Sequence, residues 1–194
     1  MASPTEHAPS PPREYTKVAK FFHWSMAAII IIAWVIGYYG GAMLHYGVDD
    51  AETAKKVTAI VTHKNIATLT LFFVVGRLIW RATHAAPPLT EMPEIMQRLT
   101  HLGHGVLYFL MVAVPVSGWA NSSSAGYNIP VLWLFDIPTL MSKSPAVTPY
   151  LVTLHWFLAW ALAIVVIGHV AFALKHLLID RDETMSAMLP RRKS

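Results

Sequence analysis

Long apolar runs separated by short polar stretches organise this chain. A membrane-spanning helix needs about 20 predominantly apolar residues. Four segments meet that requirement: about Val18 to Leu44, Val57 to Trp80, Leu102 to Ala120 and Pro149 to Leu178. The pattern predicts an all-α membrane protein, a bundle of four transmembrane helices. The connections are polar or rich in proline. Residues 45–56 carry Asp49, Asp50, Glu52, Lys55 and Lys56, residues 81–100 hold Pro87, Pro88 and Pro93, and residues 121–148 open on Asn121 and Ser122 to Ser124. The last connection also contains Val131 to Phe135, too short to span and suited to lie at the interface or to cap the bundle. Residues 1–14, with Pro4, Pro9, Pro11 and Pro12, read as a disordered tail without a secretory signal. Residues 15–190 read as one membrane domain and residues 191–194 as a basic C-terminal tail.

Composition agrees with the pattern. Hydrophobic residues make up 55% of the 194 and charged residues 13%, against about 25% charged in soluble domains; mean hydropathy is +0.45. The sequence pI of 9.4 does not point to nucleic acid, because the charges lie between and beyond the apolar runs. Arg13, Lys17, Lys20, Arg77, Arg81, Arg98, Lys175, Arg181, Arg191, Arg192 and Lys193 fall on one side of the four-span arrangement, and only Lys55, Lys56, Lys64 and Lys143 on the other. The positive-inside rule then places both termini in the cytoplasm. The chain has no cysteine, which excludes disulfides, thiolate metal sites and covalent C-x-x-C-H haem attachment.

The candidate chemistry lies in the histidines. Ionisable side chains within a span are costly and mark function. The fourth span carries His155 near its start and His169 near its end. Their spacing is about 40° short of four full helical turns, so both rings share one face, about 21 Å apart along the axis. His23, at the cytoplasmic end of the first span, is level with His169; His63, at the outer end of the second, is level with His155. The depths pair them as an inner couple, His23 and His169, and an outer couple, His63 and His155. Imidazole is a good iron ligand and bundles build cofactor sites from facing helices. Two axial imidazoles per haem favour electron transfer over oxygen binding. Gly168 leaves room for a flat macrocycle, with Phe21, Phe22, Trp24, Trp156, Phe157 and Phe172 available to line it.

Several stretches together resemble the bacterial cytochrome b561 family of di-haem inner-membrane proteins. They are Tyr15 to Trp24 (YTKVAKFFHW), Arg77 to Arg81 (RLIWR), His101 to Tyr108 (HLGHGVLY), Pro115 to Trp119 (PVSGW), Leu154 to Trp156 (LHW), Gly168–His169 (GH) and Met188 to Arg191 (MLPR). The resemblance implies two non-covalent haem b groups ligated by His23, His63, His155 and His169, and exchange of electrons with a membrane quinone, ubiquinone being the expected acceptor. A branch of the family oxidises superoxide at the outer face; other relatives are cytochrome subunits that serve a partner redox enzyme. His176 resembles the position that contacts quinone in the superoxide oxidase branch, where an imidazole suits a proton donor near neutral pH.

Other residues offer supporting roles. Lys55, Lys56 and Lys64 lie nearest the outer couple and could draw in an anionic donor such as superoxide, or form a solvated face offset by Asp49, Asp50 and Glu52. His101 and His104 share a face at the inner end of the third span, and Arg77 and Arg81 lie at the same depth; all four suit contacts to propionates, quinone or loop carbonyls, and the arginines also suit snorkelling to lipid phosphates. Pro115 is expected to bend its span, with Ser117 and Gly118 accommodating the bend. A relay of histidines in a metal-ion transporter is the reading from another class, and the lack of Asp or Glu in the apolar centres of the spans counts against it.

Overall fold

The computed structural model describes residues 14–84, 86–87 and 93–189; most of the N-terminal tail and the basic C-terminal tail lie outside them. Its order is α1 Lys17–Tyr38, a π turn Tyr39–Met43, α2 Asp50–Ala67, α3 Leu69–Thr83, α4 Glu94–Ser124, β1 Ile129–Val131, β2 Phe135–Ile137, α5 Thr148–Lys175, a π turn His176–Asp180 and the single turn α6 Glu183–Ser186. The four expected spans are present as four helical stretches, Lys17–Met43, Asp50–Thr83, Glu94–Ser124 and Thr148–Asp180, each long and apolar enough to cross a membrane.

The helices extend further than hydropathy indicated, because capping and hydrogen bonding set their ends. The acidic stretch expected in the first connection starts α2: Asp49 caps it by accepting from the Glu52 N–H at 2.6 Å, and Asp50 and Glu52 favour the positive end of the helix dipole. The second span breaks at Thr68, whose hydroxyl donates back to the Lys64 carbonyl at 2.7 Å, a bond that bends helices. The third runs on to Ser124, so the serines expected to open a loop are helical and buried.

α1 packs against α2 and α3, α3 against α4, and α4 against α5. The bundle core consists of Met26, Val74, Leu107, Leu110, Met111 and Leu162. Around it Ile31, Val35, Phe72, Ile79, Phe109, Ile164 and Ile167 point outward, as apolar side chains facing lipid tails do.

One end of the bundle is closed where the first and last described segments meet. Tyr15 donates its N–H to the Ala187 carbonyl, Lys20 Nζ donates to the Leu189 carbonyl at 2.8 Å, and Trp24 Nε1 to the Met188 carbonyl at 3.1 Å. The opposite end carries the antiparallel hairpin β1–β2, paired Ile129 to Ile137 and Val131 to Phe135. The apolar run within the third loop thus caps the bundle: Ile129 and Val131 are buried, whereas Trp133 and Leu134 are exposed. Buried Asn65 of α2 accepts the Trp133 N–H at 2.6 Å. Leu132 and Trp133 both have positive φ, 48° and 58°, a conformation that costs non-glycine residues energy, so the Asn65 bond holds a turn that the local sequence disfavours.

Candidate functional site: two levels of facing histidines

The helices bring four of the expected histidines together in two couples. Near the hairpin end, the His63 and His155 rings face each other with centroids 6.2 Å apart. Near the end where the termini meet, His23 and His169 face each other at 6.1 Å. Two imidazoles gripping one metal need centroids about 6.2 Å apart, taking about 2.0 Å per metal–nitrogen bond and about 1.1 Å from nitrogen to ring centre. Both separations would suit a metal held between the two rings and exceed direct hydrogen bonding between them.

Ring orientation at the hairpin-side couple supports the same use. His63 donates from Nδ1 to the Ala33 carbonyl at 2.8 Å. His155 places Nδ1 at 3.1 Å from the Val114 carbonyl and 3.0 Å from Ser117 Oγ. Committing Nδ1 to a carbonyl leaves Nε2 as the free ligating nitrogen, the arrangement typical of metal-bound histidine.

Two glycines make this approach possible. Gly37 lies one helical turn beyond Ala33, and Gly118 one turn beyond Val114. A Cβ on Gly37 would sit 2.7 Å from both Cε1 and Nδ1 of His63, and one on Gly118 would sit 3.0 Å from Cε1 of His155. Each imidazole therefore rests on a bare helix surface and reaches the carbonyl one turn away. Gly37 was not singled out from the sequence, and Gly118 was read only as easing the bend at Pro115. The available signal was a glycine in a span at the depth of a histidine. At the other level, the ring of Phe22 lies against Gly76 in the same manner, next to His23.

The termini-side couple has more polar company. The His104 ring lies 5.6 Å from that of His169, with its Nδ1 on the Thr100 carbonyl at 2.8 Å. Arg77 donates from Nε to the Tyr108 hydroxyl at 3.0 Å and lies over that ring. A polar cavity of about 240 Å³ opens beside them, lined by Tyr15, Arg81, Gln97, Thr100, His101 and His104. Thr100 Oγ1 is buried without a hydrogen-bond partner among the described residues. His101, exposed, and half-buried His104 thus meet at this cavity. Arg77 lines the adjoining recess together with Trp80 and Arg81.

The three lysines expected as one anion-attracting cluster occupy different settings. Lys55 is exposed. Lys64 is half-buried, donating to Ser122 Oγ at 2.8 Å with its ammonium over the Tyr127 ring. Lys56 is buried, donating to the Gly40 and Leu44 carbonyls at 2.9 and 2.6 Å. Its charge satisfies the carbonyls ending the first span, as a basic group at a helix C-terminus does. His176 is also buried; its Nδ1 lies 2.6 Å from Asp182 Oδ2, and its Nε2 has no partner among the described residues. No pattern in the sequence marks Asp182 as a partner of His176.

Residues 14–191 match the family model described as prokaryotic cytochrome b561. The chain belongs to the prokaryotic cytochrome b561 family. It is 30% identical to cytochrome b561 homolog 2 of Escherichia coli (strain K12), over 94% of this chain and 95% of that protein. It is 25% identical to a Yersinia pestis protein named probable superoxide oxidase CybB, over 93% and 98%. Membership makes the chain a membrane haem b electron-transfer protein of the inner membrane, in line with its four apolar helices. The residues present fit that cofactor: facing imidazoles at metal-bridging separation in both couples and, in the hairpin-side couple, ring nitrogens oriented by carbonyls and glycine surfaces beneath the rings.

Proposed function

We propose that this cytochrome b561 family member holds two haem b groups, one between His63 and His155 and one between His23 and His169. It carries electrons from an anionic donor on the hairpin side to ubiquinone on the termini side. The observation that carries the reading is the equal separation of two histidine couples on opposite ends of one continuous helix, α5. When bound, haem iron supplies reversible one-electron chemistry.

The chain's own residues hold, orient and insulate. The core cluster lies between the two levels: Leu162 is halfway between His155 and His169, and Leu107, Leu110 and Met111 fall between His104 and Ser117. This uncharged layer excludes water and ions between the couples. The lysine and arginine distribution supports termini in the cytoplasm and a hairpin in the periplasm. Lys55 and Lys64 then present positive charge on the periplasmic side, suited to raising the encounter rate of a small anion; Lys56 contributes by fixing the helix end. Superoxide is the proposed donor, supported by the relative named probable superoxide oxidase. Arg77, His101 and His104 are proposed to bind propionates or the quinone headgroup on the other side. His176 is proposed to donate a proton to reduced quinone.

The test is ubiquinone reduction by purified, haem-loaded protein in a superoxide-generating system. Quinol formation that is saturable in protein and slowed by salt supports the reading. Haem-loaded protein that leaves quinone oxidised under superoxide, yet accepts electrons from a membrane redox enzyme, overturns self-sufficiency in favour of a partner-serving subunit.

A further inference from the structure

The end of the fourth span is built in an unusual way. After Lys175 the helix widens into the π turn His176–Asp180, a form often found at functional positions. Arg181 then takes a left-handed conformation, φ 54° and ψ 35°, and turns the chain back so that the Asp182 N–H reaches the His176 carbonyl at 3.3 Å. The reversal brings the Asp182 carboxylate onto His176 Nδ1 at 2.6 Å. Asp180 is also near, at 3.1 Å, but Lys175 holds it through bonds of 2.6 and 2.8 Å. Asp182 is fixed in turn by the Thr184 N–H at 2.9 Å. Burial works against its charge, yet the Thr184 hydrogen bonds and the contact with His176 keep its carboxyl below the ordinary carboxylate range. On the other side of the ring, Nε2 is buried and unpartnered among the described residues; the Phe172 ring packs edge-on to the imidazole, centroids 4.7 Å apart.

The structure assigns Asp182 as the residue that positions His176 for proton delivery: it holds Nδ1–H and balances the charge of the protonated ring, so that the buried Nε2 is the donating atom. The inference rests on the quinone reading of His176. In the step, ubiquinone takes up two electrons, which originate from two superoxide anions oxidised to oxygen, and two protons. His176 gives one of the two protons from Nε2–H to a quinone oxygen and retains the proton on Nδ1; water on the termini side supplies the second. The ring returns to its neutral form and regains its proton from water before the next turnover. Asp182 stays ionised throughout and acts only through His176, as an orienting carboxylate does beside a catalytic imidazole. The charged groups facing the ring among the described residues are Asp182, Asp180 and, through Asp180, Lys175.

The test follows the pH dependence of quinone reduction in haem-loaded protein, read by stopped-flow reoxidation of the reduced protein with a water-soluble ubiquinone. A donor imidazole gives a rate that falls as pH rises through its pKa. Loss of a carboxylate at this distance destabilises the protonated ring, and the falling limb of Asp182→Asn moves to lower pH by about one unit or more. Asp182→Ser gives the same shift and serves where Asn disturbs folding, and Asp182→Glu restores most of the original limb. Asp180→Asn moves the limb less than Asp182→Asn, because Lys175 already shares that charge. His176→Ala removes the limb and slows quinone reduction, with unchanged haem content. If His176→Ala is slow but both neutral Asp182 variants keep the original profile, the positioning role is overturned and the quinone reading survives. If His176→Ala reduces quinone at the normal rate, the quinone reading itself falls.

Discussion

Replacing Gly37 by alanine tests the histidine geometry without touching a histidine. The new Cβ would lie 2.7 Å from two ring atoms of His63, roughly 1 Å inside ordinary contact distance. Relief requires the ring to retreat by about that amount. The Nδ1 bond to Ala33, now 2.8 Å, would then stretch beyond hydrogen-bonding range. A buried donor left unpaired costs about 1–3 kcal/mol, and overpacking a filled site costs about 1–3 kcal/mol more. The sum, about 2–6 kcal/mol, falls on the haem-side geometry of one couple and corresponds to at least a 30-fold loss of affinity for that site. The partner ligand His155 and His169 are about 21 Å apart along α5, far enough for the other site to be independent. The assay is a haem-to-protein ratio combined with an equilibrium redox titration. Gly37→Ala should lose most of one haem and one titrating component, and Gly118→Ala, whose Cβ would meet His155 at 3.0 Å, should show a milder form of the same loss. Gly41→Ala, with nothing within 4 Å, should be silent. Full occupancy and an unaltered titration in Gly37→Ala would refute the claim that this glycine seats the ligand.

Three further outcomes are expected. His155→Ala should remove the hairpin-side haem while leaving the other, and His23→Ala should do the reverse, as separate losses in low-temperature absorbance spectra. Lys56→Met leaves the Gly40 and Leu44 carbonyls unpaired and should lower thermal stability by about 1–3 kcal/mol, with little change in the salt dependence of donor oxidation; Lys55→Gln should weaken that salt dependence and leave stability unchanged. Asp182, with its carboxyl pKa held below the unfolded value, contributes stability that is present above the ordinary carboxylate range and is lost as pH falls through the folded value. The gap in melting temperature between the native protein and Asp182→Asn should therefore be open at neutral pH and close on acidification below about pH 4.

The spans and the couples were legible because both depend on regular helix geometry. Apolar run length marks a span, and a separation of fourteen residues sets both face and depth, so His155 and His169 could be matched in level to His63 and His23 before any coordinates. The hairpin was less legible: its strands have three residues each, Pro130 interrupts the first, and its turn is held by Asn65, a contact distant in sequence. The start of α2 was missed because a capped polar helix leaving the membrane carries no apolar signal. The burial of Lys56, expected in an anion-attracting cluster or on a solvated face, was not legible for the same reason, since it comes from carbonyls at the end of another helix. Asp182 reaches His176 only through the left-handed turn at Arg181, which no local pattern announces.

The central claim is that two couples of imidazoles, stacked at two depths, each hold a haem. Its most direct test is the haem content of protein purified from cells supplied with iron and porphyrin, measured by pyridine haemochrome against protein mass. Two haem b per chain are expected, falling to one on loss of either couple and to none on loss of both. A colourless preparation, or a haem content that survives removal of both His155 and His23, would contradict it.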